Sequence, residues 1–483
     1  LSRRCLPRRR SALPWQPAAT HRPRPTRQRT ASPPPELEET SNELTDSVPT
    51  DLRYDGKTVT FYVRNDLSFA EFNVEEATGD IIDDAVYKRN QTVSERLGVN
   101  FEFIEGPGAW GGRKEFAQNV STSILAGDGA YDIVAGYSMA VASLGADGYL
   151  YELNDTKYLD FSKPWWSDSL LKQATINGNL YVASGDIATS LLYYMYGMFF
   201  NKQILEDFKL DDPYELALSG KWTLDKMIEM STGVYSDLNG DGLKSSADRI
   251  GCEVYNVYLD PFYHAAGLRV TDIDSDGLPV ASKDLSSEKA VDLYEKLRSF
   301  LFDTDDGYVS VEGTEPNDNF KYGRILFSPH ELAFAASKLR DVKFDYGILP
   351  VPKYDENQEN YITITSFPYS LYGIPKDAKD PDMSSAVMEL LGAEGYKTVS
   401  PALFEIALKV KYSSDDNAAK IYDIIKGSIS YDFGRVFTDS IDGSLCMEFR
   451  AMLQRNKSGW ASDMASLIPA FEAGLEKLLE KFK

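Results

Sequence analysis

Apolar residues are spaced as strands and helices in alternation along the first third of the folded region. Residues 58–63 are β-branched and aromatic, which predicts a buried strand. The helical apolar spacing of residues 81–97 predicts a helix that ends at Gly98. The same rhythm continues with predicted strands at 99–104 and 131–135 and a predicted helix at 116–125. Strands that alternate with helices indicate a parallel sheet covered by helices.

The rest of the chain repeats this alternation and indicates a second α/β unit. An amphipathic helix is predicted at 287–302, where Ala290, Leu293 and Leu297 share one face. The other predicted elements are strands at 193–200, 324–327 and 344–349, and helices at 223–230, 384–391 and 464–482. Because the chain has 483 residues, it is long enough for two domains.

The amino-terminal segment has a different composition from the rest. Residues 1–35 contain no acid and many Arg and Pro residues, and a Thr/Ser/Glu-rich stretch follows to residue 49. Such composition cannot bury a core, so we expect residues 1–50 to be a disordered tail and linker. The segment contains no apolar run of signal-peptide length, so no signal peptide is recognisable.

The formal net charge of −23 makes nucleic acid a poor partner, because like charges repel. The chain is rich in aromatic residues, with 29 Tyr, 24 Phe and 6 Trp. Aromatic rings stack on the apolar faces of sugars, but they also fill ordinary cores. The aromatic content is therefore compatible with carbohydrate binding without requiring it.

Residue types used in catalysis and metal binding are sparse. The chain has three His and three Cys, and no Cys lies at metal-ligand spacing from another. Cys252 and Cys446 are either one disulfide or two buried thiols. Phosphate-binding loops, zinc-protease motifs and dinucleotide fingerprints are absent from the sequence. A carbohydrate-active enzyme stays open as an alternative, because the separation of two catalytic carboxylates is a spatial property.

One segment fits a twelve-residue calcium loop. Asp237, Asn239 and Asp241 supply side-chain oxygens at positions 1, 3 and 5, Leu243 a carbonyl at position 7, and Asp248 an acid at position 12. We expect a structural calcium ion there, and the alternative is a polar turn without an ion. The similar run at 272–277 has Lys283 at its twelfth position, which favours a hairpin turn.

Several stretches in a fixed order resemble the extracellular solute-binding proteins of family 1, which include the maltose-binding protein. They are Tyr131-Asp-Ile-Val134, Thr175-Ile-Asn-Gly-Asn-Leu-Tyr-Val182, Phe199-Phe-Asn-Lys202, Gly220-Lys-Trp-Thr-Leu-Asp225 and Phe344-Asp-Tyr-Gly-Ile-Leu-Pro-Val-Pro352. Together with the predicted elements they cover residues 57–483. One departure is Phe200, where the family has Tyr before the Asn.

The resemblance implies the α/β fold of a class II periplasmic-binding protein, in which two lobes are joined by a hinge. One lobe would comprise residues 51–188 and 370–410, and the other would comprise residues 189–369 and 411–483. A small-molecule solute, in the first instance an oligosaccharide, would bind between the lobes. A peptide or another solute is the alternative within transport.

The same resemblance implies a non-catalytic subunit of an ABC importer. Such a subunit is expected to be a monomer outside the cell, held at the cell surface by a lipid anchor. Its partner would be the membrane permease, to which it delivers the solute.

Ligand-binding residues of this fold are expected on loops at the strand ends that face the cleft. An aromatic residue after a strand can also belong to the core, and Arg64 has an alternative role as the partner of a nearby acid. The candidate ligand-binding residues are Arg64, Asn65, Asp66, Tyr137, Asp186, Tyr255, Tyr258, His330, Glu331 and Tyr431.

Overall fold

A computed structural model describes residues 45–310, 318–409 and 416–482. The strands in these ranges are β1 (Thr58–Arg64), β2 (Asn100–Gly106), β3 (Ile133–Tyr137), β4 (Tyr196–Asn201), β5 (Ile250–Tyr255), β6 (Thr271–Ile273), β7 (Pro279–Ala281), β8 (Gly307–Ser310), β9 (Ile325–Glu331), β10 (Tyr346–Leu349) and β11 (Ser370–Gly373).

The α-helices of the same ranges are α1 (Ile81–Leu97), α2 (Arg113–Ala126), α3 (Ser138–Ala146), α4 (Asp168–Ala174), α5 (Thr189–Tyr193), α6 (Lys202–Phe208), α7 (Pro213–Leu218), α8 (Leu224–Ser231), α9 (Asp260–Ala265), α10 (Glu288–Asp303), α11 (Ala333–Lys338), α12 (Pro381–Glu394), α13 (Ser400–Lys409), α14 (Asp416–Gly427), α15 (Phe433–Val436), α16 (Glu448–Gln454) and α17 (Trp460–Glu480). None of these helices is both long enough and apolar enough to cross a bilayer.

The first sheet has the strand order β11-β3-β1-β2, and we call the unit built on it the first lobe. Strand β1 is parallel to both of its neighbours, and Phe61 lies opposite Phe103 on one side and Ile133 on the other. Strand β11 closes the edge antiparallel to β3. All residues of β1 from Phe61 onward are buried, because helices cover both faces of the sheet.

The second sheet has the order β10-β4-β9-β5-β8 and forms the second lobe. Strand β5 is parallel to β8 and β9, whereas β4 is antiparallel to β9 and β10. Every residue of β4 is buried, which explains its aromatic sequence.

Two neighbouring segments carry the chain between the lobes. Ala183 and Tyr372 exchange backbone hydrogen bonds of 3.0 and 2.9 Å, and Met195 is bridged to Thr365. These antiparallel crossings form a narrow connection between the two sheets. Such connections act as hinges because few residues must change conformation when lobes close.

The predicted two-lobed α/β fold is confirmed. The strands of the first sheet lie within residues 51–188 and 370–410, and those of the second lie within residues 189–369. Apart from this distribution of strands, the predicted lobe boundaries stay a prediction. The boundary between residues 410 and 411 lies outside the described residues.

Helix α1 shows why its predicted ends match the structure. Asp80 caps the first turn, since its carboxylate accepts hydrogen bonds from the backbone N–H groups of Ile82 and Asp83. Gly98 follows the last residue with φ of 62°, a left-handed conformation that glycine adopts without strain. Strong caps at both ends make this helix readable from sequence.

The amino-terminal boundary differs from the expectation that residues 1–50 form a tail. Asp46 accepts two hydrogen bonds of 2.8 Å from Arg96 of α1, and Val48 is buried. Residues 45–50 therefore belong to the folded body. Residues 1–44, including Cys5, lie outside the described residues.

Cys252 and Cys446 are two separate buried thiols, which selects one of the two alternatives left open by the sequence. Burial raises the pKa of both thiols, that of Cys446 to about 12. Both therefore stay protonated at neutral pH and behave as small apolar side chains.

Candidate ligand-binding cleft

The carboxyl ends of β1 and β3 bring Arg64 and Tyr137 together in the first lobe. The guanidinium of Arg64 lies 5.1 Å from the centre of the Tyr137 ring. It donates hydrogen bonds of 2.6 and 2.5 Å to the two carboxylate oxygens of Asp66, and a further one to the carbonyl of Pro368. The alternative role of Arg64 is thus observed, because its charge is neutralised by its neighbour.

The loop after β2 adds an aromatic residue to this region that sequence reasoning missed. The ring of Trp110 lies 6.2 Å from that of Tyr137 and is 48% exposed. Arg113 stacks on Trp110 at 3.7 Å and donates hydrogen bonds of 2.8 and 3.1 Å to Asp439. The predicted residue Asn65 is exposed, and its backbone N–H donates to Gly106.

In the second lobe, the ends of β5 and β9 place three predicted residues in contact. Tyr258 lies with its ring centre 4.5 Å from that of His330, and its hydroxyl donates a 3.4 Å hydrogen bond to Glu331. Tyr255 stands behind Tyr258, with ring centres 6.2 Å apart. These contacts arise because β5 and β9 are parallel neighbours whose carboxyl ends share one edge.

His330 acts as a packing residue in this structure. Its ring is buried and stacks on Phe334 at 3.7 Å, while Nε2 lies 3.1 Å from the hydroxyl of Ser328. Burial lowers the pKa of His330 to about 3, so the imidazole is neutral at physiological pH. It supports the rings of Tyr258 and Phe334 from behind.

Glu331 has the most perturbed carboxyl of this region. Burial raises its pKa to about 7, and the hydroxyls of Ser366 and Tyr258 only partly oppose this effect. The same burial, with Glu331 as a neighbouring charge, raises the pKa of Tyr258 well above its ordinary value. Glu331 therefore changes charge close to neutral pH.

A cavity of about 420 Å³ lies between the lobes at this point. Its walls come from the segment after β1, from the start of α1, from the hinge, and from β9 and α11. The lining residues are Ser68, Phe69, Ala70, Asp80, Ile82, Asp83, Tyr193, Tyr194, Tyr258, Glu331, Ala333, Phe334, Ala336, Ser337, Lys338 and Arg340. Arg340 approaches Asp80 to 3.8 Å, an ion pair that joins the two walls.

The cavity unites some of the predicted site residues and leaves others apart. Tyr258 and Glu331 line it directly. Tyr194, the next residue along the wall, is close enough to feel the charges of Arg64, Glu331 and Asp66. The first-lobe pair of Arg64 and Asp66 thus lies beside the cavity rather than in its lining.

Asp186 lies in a second cavity of about 310 Å³, whose lining also includes Trp165, Trp166 and Lys426. Its carboxylate accepts a hydrogen bond from the Ser400 hydroxyl, and burial raises its pKa. The structure therefore separates Asp186 from Tyr258 and Glu331.

Tyr431 is buried too, and its hydroxyl lies 3.3 Å from that of Thr365. Its ring contacts Tyr369, with ring centres 5.7 Å apart. It is not among the residues that line the inter-lobe cavity. Neither Tyr431 nor Asp186 could be placed from sequence, because each depends on a contact with a distant segment.

The predicted calcium loop is an ordered turn on the surface. The Asp237 carboxylate accepts hydrogen bonds from the N–H groups of Gly240 and Gly242, at 2.7 and 2.9 Å. The buried carboxylate of Asp248 accepts from the N–H groups of Leu238 and Ser245.

Across the described ranges, no group of three or more His, Cys, Asp or Glu side chains is placed to hold a metal ion. The calcium ligands Asp237, Asn239, Asp241, Leu243 and Asp248 stay a prediction. The second Asp-rich run behaves as expected, since β6 and β7 form a hairpin with Gly277 at its turn.

The missed residues have signals of different strength. Trp110 lies in a Gly-Pro-Gly-Ala-Trp-Gly-Gly loop directly after β2, so the strand-end rule would have found it. Phe69, Tyr194, Phe334 and Arg340 lie farther from strand ends and enter the cavity through tertiary packing.

Comparison with known proteins agrees with this architecture. The family model described as bacterial extracellular solute-binding protein matches residues 111–396, which is more than half of the chain. None of the curated proteins compared with the sequence matches it.

Three solved structures have a similar fold. A cyclic α-maltosyl-1,6-maltose binding protein from Arthrobacter globiformis has 13% identity and a TM-score of 0.59, with 87% of this chain and 100% of that chain covered. A sugar transporter protein from Rhizobium etli has 15% identity and a TM-score of 0.56, with 87% and 99% covered. An ABC substrate-binding protein from Listeria monocytogenes, in complex with cycloalternan, has 13% identity and a TM-score of 0.55, with 89% and 99% covered.

At these identities the similar structures establish the fold, and the family match establishes the class of protein. Two sheets with a hinge and an inter-lobe cavity are the arrangement that this class requires. This chain belongs to the bacterial extracellular solute-binding protein family.

Proposed function

We propose that this protein captures an oligosaccharide between its lobes and delivers it to the permease of an ABC importer. Family membership supports a role in solute capture. The carbohydrate assignment draws support from the proteins of similar fold, whose names refer to cyclic maltosyl-maltose, cycloalternan and sugar transport.

The observation that carries the proposal is the chemistry of the 420 Å³ cavity. Phe69, Tyr194, Tyr258 and Phe334 place aromatic surface on both sides of it, and Glu331 adds a hydrogen-bond acceptor. Apolar walls with a few polar groups are typical of small-molecule sites of this volume. A pyranose has apolar faces for such rings and hydroxyls for such acceptors.

The hinge provides the second half of the mechanism. A ligand that contacts Phe69 in one lobe and Phe334 in the other stabilises the closed arrangement over an open one. The populations shift by the difference between the affinities of the ligand for the two states. The ion pair between Arg340 and Asp80 would break and form with this motion.

The function is tested by calorimetry and thermal unfolding of the full chain with linear and cyclic oligosaccharides. A ligand at 100 times its dissociation constant should add about 2.7 kcal/mol to the unfolding free energy. Tyr258→Ala should weaken binding, whereas Tyr322→Ala, which removes a ring that is 52% exposed and outside the lining, should not. Binding of peptides but of no saccharide would contradict the proposal.

The proposed role includes release of the ligand unchanged. Chromatography of the saccharide after long incubation with the protein should show only the starting compound. Accumulation of shorter products would favour the alternative of a carbohydrate-active enzyme.

Attachment outside the cell by a lipid and a monomeric state complete the proposal. Membrane extraction with and without detergent tests the anchor, and light scattering tests the oligomeric state. A dimer in dilute solution would contradict the second point.

The loop from Asp237 to Asp248 is proposed to bind a structural calcium ion through the oxygens named above. EDTA should then lower the melting temperature, and Asp241→Ala should remove that sensitivity. Asp274→Ala, in the hairpin between β6 and β7, is the matched control and should retain it. Equal melting temperatures with and without EDTA would rule the ion out.

A further inference from the structure

The arginines around the cleft all have acidic partners, whereas Glu331 has no ion-pair partner among the described residues. Asp83, which lines the same cavity, has none there either, and its carboxylate accepts a hydrogen bond from the Thr78 hydroxyl. The paired arginines are Arg64 with Asp66, Arg113 with Asp439, Arg340 with Asp80, and Arg435 and Arg450 with Asp260.

The groups that face Glu331 from the neighbouring elements are neutral. They are the hydroxyls of Tyr258 and Ser366, the rings of Tyr194 and Tyr196, the neutral imidazole of His330, and Tyr137 on the opposite wall.

The cations nearest to the cavity are engaged elsewhere. Arg64 is held by Asp66, and Lys338 at the mouth of the cavity lies 3.6 Å from Asp318. Glu331 can therefore accept hydrogen bonds from its surroundings, but these surroundings provide no compensating charge.

An uncompensated carboxylate in such a place is unfavourable, and two events relieve it. The carboxyl can take up a proton, or a cation can enter the cavity and pair with it. Because burial raises its pKa to about 7, the cost of deprotonation at neutral pH is small. A cationic ligand group can therefore exploit the charged form without a large penalty.

We propose that the ligand of this cleft carries a protonated amine, as amino sugars do, and that Glu331 binds this ammonium group. The inference rests on the proposed function and specifies the class of saccharide. A neutral hydroxyl would leave the charge of Glu331 uncompensated, whereas an ammonium group provides a charge-assisted hydrogen bond.

Three β-1,4-linked disaccharides that differ only at C2 provide the probes. They are the glucosamine dimer, the N-acetylglucosamine dimer and cellobiose, which carry an amine, an acetamide and a hydroxyl. Calorimetry of the full chain at pH 7.5 should show the amine bound about tenfold or more tightly than the other two. At pH 5.5 this preference should shrink, because free Glu331 is then protonated.

Glu331→Gln keeps the shape of the side chain and removes its charge. In this variant the amine should lose its advantage over cellobiose at pH 7.5. Asp168→Asn, on the exposed part of α4, is the matched control and should retain the preference. The pH profile of the unmodified chain is a second readout that does not depend on how well the variant folds.

The outcomes separate the two proposals. Equal or tighter binding of cellobiose at pH 7.5 would overturn the amine assignment and leave saccharide capture standing. Loss of the preference in Asp168→Asn as well would also overturn it, since a distant charge would then suffice. Failure of all three sugars to bind, with peptides or other solutes bound instead, would overturn both.

Discussion

The first-lobe wall of the cleft pairs its charges, whereas the second-lobe wall leaves one carboxyl without a partner. Arg64 and Asp66 neutralise each other within three residues of chain. Glu331 on the second wall is surrounded by hydroxyls and rings. The first arrangement is complete without a ligand, and the second becomes complete when a ligand binds. Removing a carboxylate from each wall should therefore have opposite effects on stability.

The largest expected effect belongs to Tyr258, on the second wall. Its ring is 5% exposed and packs on His330 and Tyr196, so Tyr258→Ala should lower the unfolding free energy by about 4 kcal/mol. Tyr258→Phe keeps this packing and should cost much less. Urea unfolding of both variants measures the difference, and equal losses would mean that the hydroxyl, not the ring, supports this wall.

Asp66→Asn should be the next largest, and it tests the first wall. The side chain of Arg64 has no exposed surface, so removing the charge of Asp66 leaves a buried guanidinium without its counter-ion. We expect a loss of about 3 kcal/mol in thermal or urea unfolding. A loss below 0.5 kcal/mol would show that the Pro368 carbonyl alone satisfies Arg64, and that the walls differ less than their geometry suggests.

Glu331→Gln should act in the opposite direction and depend on pH. Since folding raises the pKa of Glu331 from 4.5 to about 7, its burial costs nothing below pH 4.5, and this cost grows up to pH 7 and then stays constant. The variant should therefore be more stable than the parent by about 2 kcal/mol at pH 8 and equal to it at pH 4. Melting curves across this range check the prediction, which destabilisation at pH 8 would contradict.

The smallest expected effect concerns Arg113 and Asp439, whose ion pair lies at the rim of the cleft. Both side chains are largely shielded from solvent, and a double-mutant cycle with Ala should give a coupling of about 1 kcal/mol. Raising the salt concentration should reduce this coupling, since the pair is partly exposed. A coupling near zero would mean that Arg113 acts only by covering Trp110.

Individual elements show how far local pattern determined the fold. Helix α1 was predicted at its observed ends because Asp80 and Gly98 satisfy the terminal backbone groups locally. Strand β11 and the crossing near Ala183 were not predicted as paired segments. Their partners lie almost 190 residues away, and no local pattern records such a pairing.

The candidate site divides along the same line. The strand-end rule selected Tyr258 and Glu331, because the carboxyl ends of parallel strands meet at one edge. The same rule gave no way to separate them from His330, which packs behind them as part of the core. Asp186 is tied to Ser400, and only the folded chain shows that this contact leads away from the inter-lobe cavity.

The sequence by itself determined the α/β class, the alternation of elements and the family, since these depend on periodic apolar positions and short motifs. Only the tertiary structure decided which charges are paired. The partner of Arg113 lies more than 300 residues away, and the lack of one at Glu331 depends on every element that surrounds it. Electrostatic balance in a cleft is a sum over neighbours in space, and neighbours in space are set by packing rather than by order along the chain.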